Sequence, residues 1–230
     1  MLVDRFHAGG AEILLTAMAL NLPSERFEVA VCATRDSGGG LALQLDQAGI
    51  EVFSLDRRHR YDVLPFRELG RMLRERRVDV LHSHMFGSNL WGSVVGPAAG
   101  VPAVIAHEHT WSFEGQPLRR ALDRWVIGPR VDAYIAGTAA DRDRMSSISG
   151  VPANKIEVIP GPYFPRPEQP AADLCAELGL SADVPLVGTI AVLRKQKAMD
   201  VLIRAFASIK PVSGPDPHLV IAGKGPCRAA

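Results

Sequence analysis

The sequence predicts an α/β protein built on parallel sheet. Three observations carry this. Short β-branched runs alternate with stretches of helical period, several of those runs are apolar throughout, and a proline-rich stretch divides the chain late in its length. Strands alternating with helices of about three turns form the βαβ pattern of a parallel sheet. Strands that are apolar on both faces are what a sheet covered by helices on both sides requires. At 230 residues the chain has room for one large domain or two modest ones.

The elements follow in order. Strands are expected at Met1–Val3, Phe27–Ala33, Ile50–Leu55, Val78–His82, Ala103–His107, Ala133–Ala136 and Ile156–Ile159, then at Leu186–Val192 and His218–Ala222. Helices between them rest on apolar residues at helical spacing. These are Leu14, Leu15, Met18 and Leu22; Leu41, Leu45 and Ala48; Val63, Phe66, Leu69 and Leu73; and Met199, Leu202, Ile203 and Phe206. Pro152, Pro160, Pro162, Pro165, Pro167 and Pro170 crowd one segment. Proline fixes φ and removes a backbone donor, so this segment is neither continuous helix nor central strand and reads as an interdomain linker. The expected organisation is a complete Rossmann-like domain over 1–160, a linker over 161–182, and the opening strand, helix and strand of a second domain over 183–230, which is therefore incomplete.

Composition narrows the function. Hydrophobic content of 47% and charged content of 22% fit a globular protein, and a net charge of +1 gives no case for nucleic-acid binding. Cys32, Cys175 and Cys227 are dispersed and form no disulfide framework or zinc spacing, which suits a cytoplasmic protein. The start "MLVDRFHAGG" is too short and polar for a signal peptide. The longest apolar run, Gly92 to Ala106, is broken by glycines and prolines, so no membrane span is expected. Between Arg57 and Arg77, however, eight Arg and one His face only Asp62, Glu68 and Glu75. A helix carrying Arg67, Arg71 and Arg74 on one face could dock on an anionic membrane surface, or simply be a solvated amphipathic helix lying on the sheet.

Four motifs carry chemistry. In "FHAGGAE", Gly9 and Gly10 separate strand one from helix one and let backbone N–H groups approach an anion, or make a tight turn. "VLHSHMFGSN" carries His82 and His84, and "IAHEHTW" carries His107, Glu108 and His109. Each His-x-His pair is expected to follow an apolar strand, at the carboxyl edge of the sheet, with both imidazoles on one side. That geometry serves a metal site, a ligand crevice, or packing. "VLRKQKAMD" sets Arg194, Lys195 and Lys197 before a helix. Cations there oppose the helix dipole, and a bound phosphate would offset this. "GKGP", at 223–226, lacks the spacing of a P-loop.

Taken in order, these motifs resemble one family. "GGAE", "VDVLHSHMFGSNLWG", "AHEHTW", "VDAYIAGTAADRDRM", "VPANKIEVIPG", "VGTIAVLRKQKAMDVLIRAF" and "LVIAGKGP" are similar to the family 4 glycosyltransferases of the GT-B fold. The resemblance implies transfer of a sugar, with retention, from a nucleotide-diphosphate sugar to a glycan or lipid-linked acceptor, with no catalytic metal and no cofactor. It implies that Gly9 and Gly10 lie near the donor phosphates and acceptor. His109 would be the catalytic histidine facing the transferred sugar, with His107 as the fallback and His84 lining the same cleft. Thr138 stands where the family has Ser. Lys197 would bind the donor diphosphate with Arg194, and Gly223 and Gly225 would line the donor side. There are departures: Arg194 stands one place after Leu193 where the family arginine precedes it, Ala198 replaces a glycine, and Gly161-Pro162 replaces Asn-Gly.

The family's two glutamates, eight residues apart on the donor side, do not occur after Lys197. The expectation is a chain truncated within its C-terminal domain and inactive as it stands. Positive charge at Lys197 and Arg194 would stabilise the leaving diphosphate, and a hinge at Pro160–Pro170 would exclude water. The rival readings are a metal-dependent hydrolase using the two His-x-His pairs, a non-catalytic sugar- or nucleotide-binding module, and a nucleotide-sugar epimerase.

Overall fold

The computed structural model describes residues 1–6, 9–36, 38–59, 62–109, 115–161, 172–210 and 213–228. His7 and Ala8 of the glycine turn, Arg60 of the basic stretch, Thr110 and Trp111 after the second His-x-His pair, and 162–171 of the expected linker lie outside these.

Nine strands are described. The first seven are β1 (Leu2–Arg5), β2 (Ala30–Asp36), β3 (Glu51–Ser54), β4 (Val80–His84), β5 (Ala103–Glu108), β6 (Ala133–Ala136) and β7 (Ile156–Val158). They form one parallel sheet in the order β3-β2-β1-β4-β5-β6-β7. The helices of this part are α1 (Gly10–Asn21), α2 (Gly40–Gln47), α3 (Pro65–Glu75), α4 (Met85–Ala98), α5 (Pro117–Leu122), α6 (Gly128–Arg130) and α7 (Ala139–Arg144). Contacts divide the chain into two compact units, Met1–Pro165 and Arg166–Ala230. Among the described residues no helix is long and apolar enough to cross a membrane.

The sheet is covered on both faces, because residues i and i+1 of a strand point to opposite sides. Leu2, Cys32, Leu81, Val104, Ala106 and Tyr134 share one core with Phe66, Leu69 and Leu73 of α3. Val3, Val31 and Ala33 share the other with Leu15 and Ala19 of α1 and Ala42 and Leu45 of α2. The strand order reverses between β1 and β4, and in open α/β sheets that reversal opens a crevice at the carboxyl ends.

Helix α4 lies unusually close to β4 and β5 because small residues face them. A Cβ on Gly92 would stand 2.9 Å from Ser83 Oγ, and one on Gly96 would stand 2.8 Å from Val104 Cγ2. Helix α3 begins with Pro65 at its first turn, where the missing donor costs nothing. It buries Phe66, Leu69, Gly70 and Leu73, and the Phe66 ring stacks on Trp91 at 3.9 Å between centroids. Val63, expected on this apolar face, instead precedes the helix and is 50% exposed, although Leu64 between it and Pro65 already has helical backbone.

The expected strands are all found; β6 and β9 keep their expected ends and the others shift. β2 starts at Ala30 rather than Phe27, and β4 runs on to His84 rather than stopping at His82. The first His-x-His pair therefore lies inside its strand, where His84 stays in register with His107 of β5.

In the second unit α8 (Leu174–Glu177) precedes β8 (Leu186–Ile190), α9 (Met199–Ala207) and β9 (His218–Ala222). β8 and β9 pair in parallel. Ile190 is 90% exposed, and Val187, Val201 and Ile203 are exposed as well.

Replacing Gly96 with Ala drives a methyl into Val104 within a packed core, where overpacking costs about 1–3 kcal/mol. A Gly96→Ala protein should lose about that much in a urea titration, with an unchanged slope.

Candidate functional site

The site is assembled by the parallel sheet. Every strand's carboxyl end lies at one edge, so the residues after β1 (Gly9, Gly10), at the end of β4 (His84), after β5 (His109) and after β6 (Thr138) share that edge. Four imidazoles gather there. His82 and His84 project from the face of β4 opposite Leu81 and Ser83, and His107 and His109 follow from β5 on the same face. Ring centroids stand 4.2 Å apart for His82 and His84, 4.1 Å for His107 and His109, and 5.2 Å for His84 and His107. His84 Nδ1 lies 3.1 Å from His109 Nε2, so one of these nitrogens donates and the other accepts.

Burial dominates the electrostatics. His82, His84 and His107 are buried, and His109 is half-buried. Loss of water disfavours the imidazolium. It pushes His82 down to about 4, with the Met1 amino group and His109 adding to the effect. Burial likewise lowers His107 to about 3 and His109 to about 4, and takes His84 well below its usual value. At neutral pH all four rings are uncharged. His82 Nε2, His84 Nε2 and His107 Nδ1 have no hydrogen-bond partner among the described residues.

One residue to which the sequence assigned no role holds this edge in place. Asn89, wholly buried on α4, donates from Nδ2 to the His107 carbonyl and accepts the His107 N–H at Oδ1, both at 3.2 Å. Its signal was an amide inside an otherwise apolar helix. Glu108 alternates with the histidines and points to the α4 side. Burial, with Asp123 close by, raises its carboxyl to about 8. Tyr134 donates to Asp123 Oδ1 at 2.8 Å. The residue after His84, Met85, has φ +69°, a left-handed backbone that L-residues resist.

The remaining expected residues fall into distinct settings. Gly9 starts α1 in extended backbone, and a Cβ there would overlap the Glu12 carboxylate, which therefore already occupies this helix start. Gly10 is exposed. The Thr138 hydroxyl caps α7, accepting the Asp141 N–H at 3.0 Å and donating to Asp141 Oδ2 at 2.9 Å. In the second unit Arg194 and Lys197 are exposed, flanking a 3₁₀ turn at Lys195–Lys197 before α9. Gly223 and Gly225 have a packing reason to be glycine, since a Cβ on either would overlap the carbonyl oxygen of Ala191 or Leu193 respectively. Ala198 sits at φ +48°, the conformation glycine adopts freely.

In the basic segment, Arg71 pairs with both Glu68 and Glu75, Arg76 Nη1 lies 2.7 Å from Glu51, and Arg57 is buried over the Phe66 ring. With Arg71 and Arg76 in ion pairs, the segment is less cationic than its sequence suggests.

An open parallel sheet with this strand reversal, followed by a second strand–helix–strand unit, defines the GT-B class of glycosyltransferase folds. Among solved structures, HepE from Anabaena, in complex with UDP, matches with a TM-score of 0.76 at 19% identity, over 97% of this chain and 60% of that one. The family model for Glycosyltransferase Family 4 matches residues 8–163, and the chain belongs to that family. It is 28% identical over 151 residues to the D-inositol 3-phosphate glycosyltransferase of Nocardia farcinica, covering 57% of this chain and 32% of that protein. It is 32% identical over 107 residues to the capsular polysaccharide biosynthesis glycosyltransferase CapH of Staphylococcus aureus, covering 46% of this chain and 29% of that one. The matched stretch thus spans about a third of the length of these curated relatives.

Two predictions follow from the local chemistry. The histidines bind protons in the unfolded chain below their ordinary value of 6.5 but not in the fold, so their contribution to stability is full above 6.5 and is lost as pH falls toward 3–4. Glu108 acts oppositely: raised from 4.5 to about 8, it contributes fully below 4.5 and loses that contribution as pH rises through 8. The histidines outnumber it, so urea midpoints should peak near pH 6.5, drop steeply as pH falls toward 4, and decline more gently between 6.5 and 8. Separately, Ala198→Gly should relieve about 1 kcal/mol of left-handed strain and slow hydrogen exchange of the α9 amides.

Proposed function

We propose that this protein transfers a sugar, with retention, from a nucleotide-diphosphate sugar to a glycan or lipid-linked acceptor, without a metal or cofactor in the transfer step. The observation that carries the reading is the set of uncharged imidazoles at the carboxyl edge beside the β1/β4 reversal, in a chain of this family. Glycosyl transfer passes through an oxocarbenium-like transition state that builds positive charge at the anomeric carbon. A protonated histidine would oppose that charge. A neutral one can hydrogen-bond a sugar hydroxyl without repelling it, which is the role we assign to His109, with His107 and His84 lining the same edge.

Arg194 and Lys197 serve the leaving group, whose developing charge two cations stabilise. Gly9, Gly10 and Thr138 flank the acceptor, whose hydroxyls tolerate the Glu12 carboxylate at that helix start, and Gly223 and Gly225 flank the donor side. Solved complexes of HepE with UDP and with UDP-glucose support a nucleotide-sugar donor. One relative is named for D-inositol 3-phosphate and the other for capsular polysaccharide biosynthesis, which supports a hydroxyl-rich acceptor. We place the activity in the cytoplasm, with exposed Arg67, Arg74 and Arg77 available to an anionic membrane surface. We also propose that these 230 residues alone turn over little sugar, because the donor-side glutamate pair is not among them.

Calorimetric titration with UDP- and GDP-sugars, run beside a transfer assay on both this chain and a version extended with the donor half of a relative, tests the reading. Binding that weakens about tenfold in Lys197→Ala, consistent with losing a charge-assisted hydrogen bond, and transfer in the extended protein that His109→Ala abolishes, are expected. Binding without transfer in the extended protein would mark a binding module instead. No binding of any nucleotide sugar would end the proposal.

A further inference from the structure

We infer that the histidine cluster at the β4/β5 edge binds one divalent transition-metal ion of the zinc, cobalt or nickel type, held by His82, His84 and His107 with His109 alongside. This concerns metal binding alone and does not rest on sugar transfer: an ion on these rings would oppose the positive charge built in the transfer step, so the metal-loaded and the transferring protein are distinct states.

Three independent features of the geometry point to it. First, one nitrogen from each of His82, His84 and His107 can be chosen so that all three lie within 4.8 Å of one another. A tetrahedral zinc with Zn–N bonds of about 2.0–2.1 Å places its ligand nitrogens about 3.4 Å apart, so small side-chain rotations close the gap. The sheet register already places His84 level with His107, and His82 shares the face of His84 because the two are separated by a single residue. Second, these three rings are nine-tenths or more buried, yet each keeps a ring nitrogen with no hydrogen-bond partner among the described residues. A buried polar atom left unpaired costs about 1–3 kcal/mol, and three in one cluster make a standing cost that a shared cation would remove. Third, the donor set is chemically selective. Imidazole nitrogen suits zinc, copper, cobalt and nickel, whereas calcium and magnesium prefer oxygen. Two contacts steady the cluster: Asn89 holds the His107 backbone through two hydrogen bonds, and His84 Nδ1 lies 3.1 Å from His109 Nε2.

The test uses the 230-residue protein without an affinity tag, stripped with a chelator, loaded with zinc or cobalt and passed over a desalting column. Elemental analysis should find about one ion per chain, and cobalt should give the visible absorption of nitrogen ligation. His107→Gln and, separately, His82→Asn should lower affinity about tenfold or more while circular dichroism and a single unfolding transition remain intact. If the unmodified protein retains no zinc, cobalt or nickel, the inference is overturned. It is equally overturned if the folded variants hold the ion as tightly, since the ligands then lie elsewhere. Should both variants unfold, the cobalt spectrum of the unmodified protein still decides: thiolate charge-transfer bands, reporting Cys32, Cys175 or Cys227, count against the histidine cluster, and nitrogen-only bands count for it.

Discussion

The pairing of β4 with β5 is the constraint on which the site depends. Parallel register sets His84 beside His107, alternation brings His82 and His109 to the same face, and the burial that follows strips the charge from all four rings. Each consequence needs the one before it. A single-residue slip between these strands would turn the histidines toward α4 and bring Leu81 and Ser83 to the crevice. The close approach of α4 guards against that slip, because Gly92 and Gly96 accept only Ser83 and Val104 beneath them. The fold and the chemistry of its edge are therefore held by the same helix–sheet contact.

Much of this was legible in the residues, and the reason is physical. A doubly covered sheet demands strands that are apolar on both faces, so β5 and β6 announce themselves, and the helices between them carry their own period. The sequence also indicated that both His-x-His pairs lie at a carboxyl edge. What it did not indicate was that β4 continues through its histidines, because polar residues late in a strand carry no apolar signal while the backbone ladder goes on. Asn89 stood out only as an amide on its helix, with nothing to name its partner, and Glu108 gave no signal of its setting. Asn89 bonds His107, 18 positions away, and the Glu108 carboxyl is raised by burial and by the like charge of Asp123; no local pattern encodes either.

The glycines divide along similar lines. Gly9 and Gly10 invite a reading as an anion-binding turn, yet Glu12 places a carboxylate at that helix start. Gly223 and Gly225 invite a ligand-binding reading, and the backbone of Ala191 and Leu193 passing against them is sufficient reason for both. Close backbone approach and close ligand approach select the same residue type, so a glycine motif in sequence cannot separate them. Ala198 makes the converse point: a left-handed position filled by a residue with a Cβ is visible only once the backbone is traced.

Asn89 has one more consequence. Its amide both gives and receives a hydrogen bond at the same residue of β5, and no other side chain of its length can do both. Aspartate would set a carboxylate oxygen against the His107 carbonyl, leucine would leave two backbone groups unanswered, and glutamine would overreach. Position 89 is thus closed to gradual substitution for reasons internal to the scaffold. Over generations it should stay constant even where the surrounding loops diverge.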